Sequence, residues 1–476
     1  MHFAIGETEE LLDAYGSSYT SYRLYCNGTF HGTVRYREFF DLHESLRAVY
    51  PAAELPAFPP KKLFNLSAAE LSGRRHSLEK YMQNLGQSVN ILQSPIFQEF
   101  MRKIQLRACG EDFDEPGRYS VYLLNGNAVD LTVDPKVSCE ELLQLVGQEL
   151  KLPIELVNFF ALFVAVEENG RCTLFKKLAP FEVPFAVVKT NAEEPTPVGG
   201  IIGRSTKGSV ESATKGIMAS SGGLRIVIRK NYWDSSYDSE ILESHSRVGT
   251  NLLFVEAVDA INRGWTHPTV DQKRHLESLQ QKGSRKEFVQ VAQSVKGYGS
   301  LHFTSGATID YPSSYTATAP YLSGKDLICP LKVDGQVKQE AVFRVIRMRC
   351  WRLCSSSSSE TIKIGHSADH PHGHKMSIMF EYLLGRDRLQ WITIHSDEAI
   401  WISSCLQSMV EELMLQKRGL KVNRPVGGDG SSGKKTGSSA DGSKNGTSET
   451  LSVIVTTRNM GNGNNSAFEE IRDEDL

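Results

Sequence analysis

Four prolines fall within the ten residues Pro51–Pro60. Proline fixes φ, lacks an N–H and biases the residue before it away from helix, so this stretch is predicted to be extended. It separates two helical patterns. Upstream, Phe39, Phe40, Leu42, His43, Leu46 and Val49 recur at helical spacing. Downstream, Ser67-Ala68-Ala69-Glu70 is a capping box. It opens a helix with the apolar stripe Leu71, Leu78, Tyr81, Met82 and Leu85, and Ser94-Pro95 starts another through Phe97, Phe100, Met101 and Ile104. Ahead of them Tyr22, Leu24 and Cys26 alternate into Asn27-Gly28 and resume at Phe30 and Val34. That pattern predicts a hairpin, because both turn positions tolerate positive φ. Residues 1–18, acidic and polar, read as a loose lead-in.

Three basic clusters are threaded through this region: Arg35-Tyr36-Arg37, Pro59-Pro60-Lys61-Lys62 and Arg74-Arg75. The chain has a formal net charge of −3, which excludes a generally basic nucleic-acid binder. Between Arg23 and Arg107, however, 12 Lys and Arg stand against 7 Asp and Glu, so an anion site is expected locally. Arginine offers phosphate a planar fork of donors, lysine a compact charge, and an aromatic face between them covers a sugar or inositol ring. Singly, these residues also fit solvated strand edges and exposed helix faces. Together, at this spacing, they predict a pocket for a phosphate-bearing headgroup.

The first residues, Met1 to Glu7, carry no basic or apolar leader pattern. The longest apolar run, Phe159 to Val166, is far short of the ~20 residues a membrane span requires. Eight cysteines without paired spacing predict free thiols in a reducing cytosol. The expectation is a soluble protein that meets membranes at their surface.

A second organisation starts near Arg118. Tyr119, Val121 and Leu123 run into Asn125-Gly126, a strand follows from Val129 to Val133, and Ser138-Cys139-Glu140-Glu141 caps a helix bearing Leu142, Leu143, Val146 and Leu150. With strands at Phe159–Val166 and Thr173–Leu178 this reads as a small ubiquitin-like roll. Residues 191–222 are rich in Pro, Gly, Ser and Thr and predict a linker or an exposed insertion. Leu224 to Arg229 alternates again, and a helical block follows from Trp233 to Tyr298, punctuated by Gly264, Gly283 and Gly297. From Leu301 the pattern is strands, closed by an amphipathic helix from Asp397 to Lys417. Residues 419–465 are too poor in apolar side chains to fold alone, and the end, Phe468 to Leu476, has the look of a short linear motif on a tether.

The first region, through Arg35-Tyr36, Pro59-Pro60-Lys61-Lys62 and Arg74, resembles a phox-homology (PX) domain. The three following units resemble the ubiquitin-like, helical and phosphotyrosine-binding (PTB)/pleckstrin-like lobes of a FERM module, and PX followed by FERM is similar to the PX-FERM sorting nexins. Pro56 to Phe64, Met348 to Arg352, Cys405 to Val410 and Asp473 to Leu476 carry the match. The fold expected is α+β and multidomain. It comprises a PX domain over 1–108, an F1 lobe over 115–190, a linker or insertion over 191–222, an F2 lobe over 223–300, an F3 lobe over 301–418 and a disordered tail over 419–476. The resemblance implies that Arg35 contacts the 3-phosphate of phosphatidylinositol 3-phosphate and that Tyr36 supports the inositol. It implies that Lys61 or Lys62 faces the 1-phosphate and that Arg74 bonds the 4- and 5-hydroxyls, with Leu63-Phe64-Asn65-Leu66 dipping into the interface.

In the F3 lobe, a strand edge beside a helix makes a groove in which an extended peptide adds itself. The resemblance places Trp351, Val410 and Met414 there and implies Asn-Pro-x-Tyr or Asn-x-x-Tyr receptor tails as ligands, in lipoprotein receptors, integrins and P-selectin-like proteins. Arg347, Arg349 and Arg352 leave both a phosphotyrosine preference and plain solvated charge open. Asp473, Glu474, Asp475 and Leu476 are implied to recruit the retriever complex. The implied function is a non-enzymatic cargo adaptor of the cytoplasm and the early endosome membrane, recycling receptors away from lysosomes. A FERM-type membrane–cytoskeleton linker or a signalling scaffold is the other reading.

Other motifs fail on their chemistry. His366, His370, His372 and His374 sit after a serine run in a loop-like segment, and no metal is assigned to them. Gly199-Gly200-Ile201-Ile202-Gly203 lacks the Lys-Ser/Thr of a phosphate-binding loop. Asp112-Phe113-Asp114 lacks the glycine of a kinase metal-binding triplet, and Asp-Glu-Asp-Leu has the wrong first residues for ER retrieval. No cofactor and no nucleic-acid partner are expected.

Overall fold

The structure, a computed structural model, describes residues 1–420 and 455–459, apart from 14, 62–65, 111–112, 114–115, 169–170, 194–222, 312–314, 334–335, 356–375 and 386–387. The first unit is a meander of β1 (Phe3–Leu12), β2 (Ser18–Cys26) and β3 (Thr29–Arg35), followed by α1 (Tyr36–Arg47), α2 (Ala68–Leu85), α3 (Val89–Leu92) and α4 (Pro95–Ala108). Asn27 and Gly28, at φ 48° and 83°, make the expected hairpin turn, and Ser67 and Glu70 cap α2 as the sequence predicts. The proline stretch holds one short 3-10 turn, Ala52–Glu54.

Residues 3–12 correct the expectation of a loose lead-in. Phe3 and Ile5 alternate into the core, while Glu9 pairs with Arg23 at 2.7 Å on the other face. The acidic residues that make this stretch look unstructured are the solvated side of a strand. Gly32, at φ +151°, sits where the β2–β3 register has slipped by one residue. A Cβ there would meet the Ile104 carbonyl oxygen at 2.8 Å, so glycine is what lets α4 lie on β3.

The second unit contains β4 (Gly117–Tyr122), β5 (Ala128–Val133), α5 (Cys139–Leu150), α6 (Ile154–Val157), β6 (Phe160–Glu168), β7 (Arg171–Lys177), α7 (Pro184–Glu193) and β8 (Leu224–Lys230). Its sheet runs β5-β4-β8-β6-β7. β8 pairs antiparallel with β6 from Phe160↔Lys230 to Val166↔Leu224, and parallel with β4 at Tyr122↔Val227. This corrects the boundary set at 223: the strand belongs to the ubiquitin-like sheet, and residues 191–222 interrupt that lobe instead of joining two lobes. The sheet core requires this, since Ile226, Val227 and Ile228 fill its centre, at 2, 0 and 3% exposure.

The third unit is four helices, α8 (Ser236–Glu243), α9 (Arg247–Asn262), α10 (Val270–Gln281) and α11 (Arg285–Gln293). The fourth contains β9 (Leu301–His302), β10 (Ala307–Ile309), β11 (Tyr315–Ala317), β12 (Tyr321–Ser323), β13 (Asp326–Val333), β14 (Gln336–Arg344), β15 (Met348–Ser355), β16 (Met376–Gly385) and β17 (Arg388–His395), closed by α12 (Ala399–Lys417). Ile402, Leu406 and Met409 turn the buried face of α12 onto the sheet. A last strand, β18 (Val455–Asn459), runs parallel to β15 from Trp351↔Val455 to Ser355↔Asn459. It lies inside the stretch expected to be unstructured. The β-branched run from Val453 to Thr457 is a local strand former that an average over the whole tail conceals.

The first two units share an interior. Ala179 and Phe181 of the second complete the core of the first, with the Phe181 ring 6.0 Å from Phe97 and 6.4 Å from His31. Asn191 on α7 accepts from the Phe30 N–H at 2.9 Å and donates to the Phe30 carbonyl at 3.1 Å. Lys176, wholly buried, reaches across the seam: its Nζ donates to Glu182 at 2.6 Å, to the Cys26 carbonyl at 2.9 Å and to Thr29 Oγ1 at 2.5 Å. The third and fourth units are joined by Glu412 on α12, which accepts from the Trp233 and Asp234 N–H groups at 2.7 and 2.8 Å. Among the described residues no helix is long and apolar enough to cross a membrane.

Candidate functional site

The end of β3 and the start of α1 gather the first site. Tyr36, first residue of α1, donates its hydroxyl to the Pro59 carbonyl at 2.8 Å, tying the proline loop to the helix. Phe58 holds that loop from the other side, its ring 5.6 Å from Tyr36, 5.1 Å from His43 and 5.0 Å from Tyr81. Arg74 on α2 lays its guanidinium over the Tyr36 ring, 4.6 Å from the centroid, and hydrogen-bonds the Tyr22 side chain. Burial raises the Tyr22 hydroxyl above its ordinary pKa, while Arg74 acts in the opposite direction.

The structure thus brings Tyr36, Arg74 and the proline loop together. Arg35 adjoins them as the residue before α1, its N–H donating to Glu38 at 2.8 Å. Its guanidinium lies on Tyr19, 3.2 Å from the ring centroid. Lys61 is exposed, whereas Lys62 and Leu63-Phe64-Asn65 lie outside the described residues. Arg75 is committed elsewhere, donating to the Ile5 carbonyl at 2.5 Å, and Arg37 stands out in solvent near Asp41.

The second site is the outer edge of β15 with α12 above it. Trp351 is only 2% exposed, its Nε1 donating to Ser403 Oγ at 2.9 Å, so its ring is part of the lobe's core beneath the helix. Val410 is half-buried against the same core and Met414 is half-buried one turn on. Trp233 Nε1 donates to Ser408 Oγ at 3.2 Å and Gln416 donates to Asp234 at 3.0 Å, so α12 is fixed along its second half. Beyond β15 lies β18, so its outer ladder is occupied in this structure.

Of the three arginines, Arg349 and Arg352 are on β15, the first pairing with Glu381 at 3.4 Å and the second stacking on Trp391 at 4.7 Å, whereas Arg347 ends the 3-10 turn Val345–Arg347 before the strand and is exposed. The terminal residues Asp473, Glu474, Asp475 and Leu476, and the histidine-rich segment, lie outside the described residues.

Sequence reasoning missed Tyr19, Phe58 and Glu412. Tyr19 becomes visible once the hairpin is registered with its Gly32 slip, which sets Ser21 opposite Arg35 and Tyr19 diagonal to it. Phe58 was legible as the one aromatic within the proline stretch. Nothing local distinguishes Glu412 from its neighbour Glu411 on α12.

Four family models match the chain in order: PX domain over residues 23–103, sorting nexin 17/27/31 FERM domain F1 lobe over 118–199, sorting nexin 17/31 FERM domain F2 lobe over 234–296, and Sorting Nexin 17 FERM C-terminal domain over 299–414. Sorting nexin-17 of Homo sapiens is 39% identical over 438 residues, 90% of this chain and 86% of that one. Sorting nexin-17 of Danio rerio is 37% identical over 432 residues, covering 90% and 84%. Sorting nexin-31 of Homo sapiens is 28% identical over 421 residues, covering 87% and 86%. The chain belongs to the sorting nexin-17 family of non-enzymatic PX-FERM adaptors for endosomal sorting.

Proposed function

We propose that this adaptor reads two signals at once. The first unit binds phosphatidylinositol 3-phosphate, with Arg35 on the 3-phosphate, Tyr36 beneath the inositol, Arg74 at the 4- and 5-hydroxyls, and Lys61 or Lys62 at the 1-phosphate. The fourth unit binds Asn-Pro-x-Tyr or Asn-x-x-Tyr segments of receptor tails along β15, with Val410 and Met414 as side-chain contacts and Trp351 as the buried floor. A bound peptide takes the ladder that β18 holds here, because one strand edge accepts one partner.

Neither contact needs to be strong. Membrane lysines and arginines add ~1 kcal/mol each from anionic lipid, and occupation of one site raises the effective concentration at the other. The tail end, Asp473-Glu474-Asp475-Leu476, recruits the retriever complex, and receptors such as integrins and lipoprotein receptors return to the cell surface from the early endosome. The observation that carries this reading is the Tyr36–Arg74 stack tied to Pro59, beside an arginine whose guanidinium donates no side-chain hydrogen bond among the described residues.

The test is co-sedimentation with vesicles of phosphatidylcholine and phosphatidylserine, with and without phosphatidylinositol 3-phosphate. Arg35→Gln is expected to abolish the 3-phosphate-dependent fraction without lowering the melting temperature. Unchanged sedimentation overturns the pocket assignment.

A further inference from the structure

We infer that Tyr19 is the positioning residue for Arg35, holding its guanidinium flat so that its donors face the ligand phosphate. The inference rests on the lipid reading above and extends it to a residue outside the headgroup contacts.

The geometry differs from that of every other arginine near the sheet. Arg23 also lies on a ring, Phe30, at 4.4 Å, but it spends its N–H groups on Glu9 at 2.7 Å and Tyr25 at 3.3 Å. Arg75 donates to a backbone carbonyl, and Arg107 donates to Glu38 at 2.5 Å. Among the described residues the Arg35 guanidinium donates no side-chain hydrogen bond: it lies on the face of Tyr19, 3.2 Å from the centroid, and acts on the Glu38 carboxylate through its charge alone. A guanidinium carries its five N–H donors in the plane and none on its face. Stacking therefore fixes the group without consuming a donor, and leaves the edge for two parallel bonds to a phosphate.

Both ends of the arginine are then set. Its N–H donates to Glu38 and fixes the backbone at the helix start, φ −84° and ψ 153°. Its far end is fixed from β2, where Tyr19 sits two residues along from Ser21, the cross-strand partner of Arg35. Tyr19 is itself paired with Leu11 on β1, so the ring stands on a three-strand sheet and not on a mobile loop. An unrestrained arginine gives up several rotatable bonds when it binds, and one already stacked gives up fewer.

Cation–π stacking at a partly exposed site predicts a two- to tenfold weakening, roughly, when the ring is removed. The experiment uses the full chain, vesicles with and without phosphatidylinositol 3-phosphate, and the variants Tyr19→Phe, Tyr19→Leu and Arg35→Gln, each with a melting curve. Tyr19→Phe keeps a ring face and is expected to bind as the parent does. Tyr19→Leu is expected to lose two- to tenfold in 3-phosphate-dependent binding and nothing in binding to phosphatidylserine alone. Equal binding by Tyr19→Leu and the parent, with Arg35→Gln inactive, overturns the inference and leaves the lipid reading standing. Full binding by Arg35→Gln overturns both. Should Tyr19→Leu melt early, Tyr19→Phe decides: a ring without its hydroxyl that binds as weakly as Tyr19→Leu refutes stacking as the cause.

Discussion

Replacing Lys176 with methionine would remove the positive half of an ion pair in which both side chains are fully buried. Glu182 would keep its bond from the Ala179 N–H at 2.9 Å and lose Nζ at 2.6 Å. The Cys26 carbonyl and Thr29 Oγ1, on the other side of the seam, would lose the same donor. Breaking a buried pair by removing one partner costs about 3–5 kcal/mol, since a carboxylate is left without its counter-charge. Replacing both partners by apolar groups is close to neutral, so Lys176→Met with Glu182→Leu should cost only about 1–2 kcal/mol, chiefly for the orphaned Ala179 N–H. The assay is native-state hydrogen exchange on the amides of β2 and β3, which reports opening of this seam instead of one averaged melting point. A single variant within about 1 kcal/mol of the parent, or a double variant no better than the single, would refute the ion pair as what holds the first two units together.

Three further outcomes are expected. Burial lowers His31 to about 4 from 6.5, so below pH 6.5 the unfolded chain takes up a proton that the folded chain refuses. The His31 contribution to stability should be flat above that pH and fall between 6.5 and 4 by on the order of 3 kcal/mol, so urea titrations of His31→Phe should show a shallower fall than the parent. Trp351→Ala should cost about 3–5 kcal/mol through its cavity, whereas Val410→Ala, half-buried, should weaken Asn-Pro-x-Tyr peptide binding in calorimetry while melting near the parent; equal heats would count against the groove. Deleting residues 455–459 should raise peptide affinity severalfold, and unchanged affinity would mean that β18 and the peptide do not share the β15 edge.

The elements with strong local chemistry were legible. Asn27-Gly28 turns where expected, and Ser67, Ser138 and Thr269 each close a capping box at the head of a helix. What was not legible depends on partners distant in sequence. β8 reads as an isolated alternating run until β4 and β6 are placed on either side of it. Phe175-Lys176-Lys177 reads as a solvated strand end, yet adjacent strand residues face opposite ways, and Lys176 is the one turned inward. Trp351 shows the limit from the other direction: its family match marks a groove, but only the Ser403 bond shows the indole beneath the helix. Of the lipid site, Tyr36 and Arg74 were legible as a pair from spacing and resemblance, whereas the ring under Arg35 depended on a one-residue slip at Gly32.

Phe181 carries a consequence for how such a chain can be reshaped. The ring belongs to the ubiquitin-like lobe but is packed among Phe97, His31 and the helices of the lipid-reading unit. A unit whose interior is finished by its neighbour is not a cassette. Severing the chain after residue 108 would open Phe97 to water, and grafting a foreign lipid reader in its place would set Phe181 against a surface not cut for it. The lipid-reading unit and the ubiquitin-like lobe are thus inherited as one piece, and a lineage that alters the first must do so without disturbing the wall it shares with the second.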